Sequence, residues 1–104
     1  MEALILKFEE FLESGDELMK RGQYSDAHSK YFEALRTLAA FLVYRDTGML
    51  VEPAKLRGFL GSYPEIAELL EVHSTAHGSE REARSLRESL ERLRGMMNLP
   101  SSEG

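Results

Sequence analysis

The 104-residue chain predicts an all-α fold, a four- to five-helix up-and-down bundle built on a long antiparallel N-terminal hairpin. Three observations predict it. Apolar residues recur at steps of three and four through most of the length, no stretch alternates as a half-buried strand does, and glycine or proline punctuates the pattern at helical intervals. One helical-bundle domain over residues 1–99 is expected, because a chain of this size buries about two thirds of the surface that it exposes when unfolded. Residues 100–104 are expected as a flexible C-terminal tail.

In the first helix Leu4, Ile5, Phe8, Phe11, Leu12, Leu18 and Met19 share one face, leaving Glu9, Glu10, Glu13 and Glu17 outside. Gly22 stops it. Tyr24, Ala27, Tyr31, Ala34, Leu35, Leu38, Phe41 and Leu42 form a second stripe that ends near Asp46 and Gly48. So short a turn makes the two helices antiparallel neighbours. Over residues 38–44 the second helix is apolar all round, and a single facing helix cannot cover it. Leu38, Phe41, Leu42 and Tyr44 are therefore predicted either to pack at the centre of the bundle or to form a dimer contact.

Pro53 suits the first turn of a short third helix over residues 53–60, stopped by Gly61. Ser62 and Pro64 open a fourth, with Ile66, Leu69, Leu70, His73 and Ala76 on one side and Gly78 as its stop. Ser79 and Glu82 have the spacing of a capping box, in which hydroxyl and carboxylate each satisfy the other's backbone amide. The fifth helix starts there. Its apolar positions Ala83, Leu86, Leu90, Leu93 and Met97 step three, four, three, four, and Glu80–Arg84 and Glu88–Arg92 are predicted i,i+4 pairs. Two heptads are too few for a self-sufficient coiled coil.

The chain has no cysteine, which leaves no disulfide and no thiolate zinc site. Acids stand where a signal peptide wants a basic start, and the run over residues 38–44 is too short to span a bilayer. A cytoplasmic location with no membrane contact is expected. The net charge of −5 argues against a surface built for nucleic-acid phosphates. Charge is uneven, however: six acids crowd residues 1–20, whereas residues 80–94 hold five Arg against four Glu. A basic face on the last helix keeps a nucleic-acid contact open without favouring it.

His73 and His77 stand at i,i+4, a spacing that can hold one metal on two imidazoles, but a third ligand is needed and Glu71 and Glu80 do not evidently converge. A histidine near a helix C-terminus is already explained by the helix dipole. His28 reads as a boundary packing residue with a hydrogen-bonded ring, and Met96 and Met97 as an adaptable end of the core. With no glycine-rich phosphate loop and no nucleophile elbow, no catalytic residue, cofactor or metal is expected. The remaining candidate is a phosphate or RNA contact made by Arg81, Arg84 and Arg87 with His73 or His77, since guanidinium groups can grip phosphate in pairs of hydrogen bonds.

In residues 11–34 Phe11, Gly15, Leu18, Ala27, Tyr31 and Ala34 fall in the register of one tetratricopeptide repeat, which the segment resembles. Gly15 and Ala27 are small where two helices approach, and Tyr31 fills the gap beside them. Ser14 stands where the repeat has Leu, and Ala39 where it ends in Pro, so the helix runs on. No second copy follows, and an array is not expected.

A longer resemblance begins at the turn Lys20-Arg21-Gly22-Gln23-Tyr24 and continues through the small-and-aromatic helix of Ser25, Asp26, Ala27, His28, Tyr31, Phe32, Ala34 and Leu35, followed by a loop, a short helix and a final helical pair. In this order the chain resembles the HEPN superfamily, archaeal PaREP-type members included. The resemblance implies an up-and-down bundle, frequently a homodimer, often serving a nucleotidyltransferase partner, or in other branches an RNase. Those RNase branches carry an Arg followed shortly by a His near a late helix. Here Arg21 and His28 straddle the first hairpin instead, and Arg81 and Arg84 have no His after them. The expected function is thus a non-catalytic HEPN-like module for self-association and partner binding. Its alternatives are a HEPN-type RNase or nucleotide site at a dimer seam, and a tetratricopeptide-like hairpin receiving a peptide on an open concave face.

Overall fold

The computed structural model describes residues 2–97, so the expected tail over residues 100–104 lies outside the described residues. There are four α-helices, α1 (Glu2–Lys20), α2 (Tyr24–Thr47), α3 (Pro64–Ser74) and α4 (Glu80–Leu93), with a 3-10 turn at Pro53–Phe59 between α2 and α3 and another at Arg94–Met97 after α4. No strand occurs among the described residues. None of these helices is long and apolar enough to cross a membrane.

The first hairpin is fixed by its glycines. Gly22 takes φ +75°, and its N–H reaches the Met19 carbonyl at 3.0 Å while Gln23 N–H reaches Leu18 at 2.9 Å. That double bond pattern closes a helix only through a left-handed residue, which glycine adopts without a Cβ penalty. Gly48 ends α2 in the same conformation, bonded to the Tyr44 carbonyl at 2.7 Å.

Helix α2 is the centre, in contact with α1, α3, α4 and both 3-10 turns. Leu38, Phe41 and Leu42 are wholly buried by the chain's own elements and Tyr44 is half-buried. Phe8 and Leu12 of α1, Leu56 and Leu60, Ile66 and Leu70 of α3, and Leu86 and Leu90 of α4 close the core around them. The all-round apolar run is therefore core packing, and a dimer no longer has to be invoked to cover it.

Ion pairs report the helix directions. Arg87 and Arg94 of the C-terminal elements meet Asp16 and Glu9 of α1, so α4 runs opposite to α1. Tyr63, beside the start of α3, meets Asp46 near the end of α2, and His73 near the end of α3 meets His28 near the start of α2, so α3 runs opposite to α2. The connectivity is up, down, up, down.

The expected short third helix forms at Pro53–Phe59 and is of 3-10 type, since seven residues containing Gly58 gain little from i→i+4 bonding. Three local expectations need correction. Helix α3 stops at Ser74, before Gly78: the Ser74 and Thr75 hydroxyls bond back to the Glu71 and Val72 carbonyls, competing with the helix. Arg92 pairs with Glu65 of α3 at 2.5 Å, not with Glu88, whereas Glu80–Arg84 forms as expected. Glu9 turns to Arg94 instead of standing free in solvent. The capping box of Ser79 and Glu82 is present in both directions, and Met97 is buried at the end of the last apolar stripe.

Candidate functional site: a groove between the first and last helices

A Cβ added to Gly15 would lie 2.3 Å from Tyr31 Cε1, so only glycine lets the Tyr31 ring lie flat against α1. That contact carries the phenol to the next residue, Asp16, to which the Tyr31 hydroxyl donates at 2.6 Å. From the far side Arg87 donates to both Asp16 oxygens, Nε and Nη2 each at 2.9 Å, and its Nη1 donates to Glu91 at 2.7 Å. Such a forked pair has the best geometry available to an ion pair. Helices α1 and α4 meet through these long side chains rather than through close backbone approach.

The result is an open groove of about 530 Å³ with Tyr31 at its base, Asp16, Met19 and Lys20 on one wall, and Arg84, Arg87, Glu88 and Glu91 on the other. The Arg87 hydrogen bonds hold the Asp16 carboxyl below the usual carboxylate range against the opposing effect of burial, with Tyr31 assisting. Burial and the adjacent Asp16 push the Tyr31 phenol up, which keeps it a donor. Hydrogen bonds to Asp16 likewise hold Arg87 firmly charged.

On a different side of α2, His28 and His73 meet with Nε2 and Nδ1 3.0 Å apart, both rings almost fully buried. Burial pushes both imidazoles down, and His28 adds to the effect on His73, while the Glu82 carboxylate pulls the other way.

The residues expected to grip phosphate are brought together only in part, the arginines along α4 and the histidines elsewhere. Arg84 and Arg87 line the groove; Arg81 and Arg84 line a shallower depression beside it; His73 opens into a separate cavity with His28. Arg84 is held by Glu80, at 2.6 Å from Nη2, and Arg87 by Asp16 and Glu91. His77 lies exposed beyond the end of α3, so the i,i+4 pairing with His73 does not exist. Among the described residues no group of three or more His, Asp or Glu converges as a metal-ligand set.

No family model, curated protein or solved structure matches this chain. The HEPN and tetratricopeptide resemblances thus rest on the sequence residues that carry them. Ala27, Tyr31 and Ala34 of the tetratricopeptide-like hairpin are buried, and α4 packs against α2.

Sequence reading did not find the two pairings that organise these sites, Asp16 with Arg87 and His28 with His73. They join residues 71 and 45 positions apart, beyond any periodicity. A weak signal existed for the first: Asp16 directly follows the glycine that the Tyr31 approach requires.

Proposed function

We propose that this chain is a non-catalytic, HEPN-like helical module that receives a partner protein along the groove between α1 and α4. The observation that carries this reading is the state of the groove's cations. Arg84 and Arg87, which a phosphate substrate would need, are already engaged by Glu80, Asp16 and Glu91, whereas Lys20 and Glu88 line the rims without an ion pair among the described contacts. A preformed trough with a tyrosine base and rims of both signs suits a polypeptide segment with its own mixed charges. The HEPN resemblance implies a nucleotidyltransferase as the class of partner.

Self-association belongs to the same proposal, through a surface other than Leu38, Phe41 and Leu42. Exposed Leu6 and Leu50, toward the end of the bundle where α1 starts and α2 stops, are apolar positions that the core leaves unused. Sedimentation at micromolar concentration tests this part, and a strict monomer removes it.

A photo-crosslinking residue placed at Glu88 is expected to capture a protein in cells, while one at exposed Glu68 on α3 is not. Equal capture at both positions overturns the groove. Cleavage of mixed RNA by the wild-type chain, lost in Arg84→Ala, would instead establish the RNase reading.

A further inference from the structure

His28 and His73 share a feature that the groove reading leaves unused: two imidazole nitrogens from separate helices face each other across 3.0 Å. The rings lie with centroids 5.2 Å apart and planes tilted by 38°, and the two residues are 6% and 7% exposed. We propose that this pair is a two-imidazole site for a borderline divalent cation such as zinc, nickel or copper, which would pin α3 to α2.

Neutral imidazole is the ligating form, and burial favours it in both rings. Each neutral ring carries one proton, so the space between the two nitrogens holds a single hydrogen. On metal binding that hydrogen moves to the other nitrogen of the same ring, and no net proton is released. Metal–nitrogen bonds of about 2.0–2.1 Å at a tetrahedral angle separate the two nitrogens by roughly 3.3 Å. The pair must part by a few tenths of an ångström and the rings must turn, so that both lone pairs aim at one ion.

Room for that turn adjoins the rings. A cavity of about 210 Å³ lies beside them, with Ser29, Glu33 and Ser74 on its walls, and it gives water a route to the remaining coordination positions. The Glu82 carboxylate acts favourably on positive charge at both rings, although its Oε1 already accepts from the Gly78 and Ser79 amides at 2.9 Å. The protein supplies two ligands only, so water entering through this cavity must fill the third and fourth positions. The ion is therefore exchangeable, unlike one in the closed four-ligand set of a structural zinc. Imidazole donors select zinc, nickel and copper over magnesium and calcium. The proposal is independent of the α1–α4 groove.

The test is thermal unfolding of the full chain with added zinc or nickel chloride, magnesium chloride serving as control. Zinc and nickel are expected to raise the midpoint by several degrees and magnesium to leave it unchanged. His28→Gln and His73→Gln should each abolish the rise, and His77→Gln should keep it. Absence of a rise in the wild type overturns the proposal, as does a rise that survives His73→Gln. If the Gln variants do not fold, histidine ring signals of the wild type by NMR decide: nickel must broaden His28 and His73, and broadening of His77 alone overturns the site.

Discussion

Helix α2 is held on two sides by opposite means. Toward α1 and α4 it offers Tyr31 to a partly exposed ion pair, built where Gly15 leaves room for the Tyr31 ring against α1. Toward α3 it offers His28 to a neutral partner, both residues almost wholly buried beside a small cavity. The difference follows from hydration. Arg87 and Asp16 keep water on their outer faces, so their charges need not be fully desolvated, whereas a charge at the histidine seam would lose most of its water. One helix thus carries a charged seam where the bundle is open and an uncharged one where it is closed.

The sharpest way to break this comparison is to truncate one apolar residue on each side. Phe8→Ala, on the α1 side, is expected to cost about 4 kcal/mol in urea unfolding, and Leu70→Ala, on the α3 side, about 2–3 kcal/mol. A larger loss at Leu70 would reverse the ranking of the two seams. Gly15→Ala should cost about 2 kcal/mol despite the better helix propensity of alanine, because the Tyr31 ring must leave its place. Tyrosine fluorescence would report that movement.

Smaller effects separate the charged seam from the neutral one. Asp16→Asn removes a partly exposed forked pair and is expected to cost about 1 kcal/mol. Its folded carboxyl is held low, so its contribution is present above about pH 4 and is lost as pH falls further; the variant should flatten the stability curve there. The histidine seam acts at milder acidity. Both folded imidazoles are held low, so the neutral pair contributes fully above about pH 6.5, and stability declines as pH falls below it and the unfolded chain takes up protons first. His28→Gln should reduce that decline between pH 7 and pH 5, measured by urea midpoints.

Much of the fold was legible because it rests on local rules. The stripe of Phe8 and Leu12, the stops at Gly22 and Gly48, and the box of Ser79 and Glu82 each act within a few residues. The end of α3 was misread although its signal was present, since Ser74 and Thr75 are residues that compete with a helix for its own carbonyls. The site was less legible. Periodicity places Arg87 on a polar flank of α4 but cannot say that Asp16 lies across from it, and it places His73 on the inward face of α3 while suggesting His77 as its companion instead of His28.

Gly78 links these levels. It takes φ +80°, and a Cβ there would come within 3.0 Å of the Ser25 backbone, so the chain entering α4 is seated directly on the start of α2. The Ser79 cap follows at once, which fixes the rotational phase of the whole last helix. One residue inserted between Gly78 and Ser79 would turn α4 by about 100° about its axis. Leu86 and Leu90 would swing out of the core in the same step that takes Arg87 from Asp16. In α4, then, angular setting and chemistry are a single quantity, decided by two residues at its entrance.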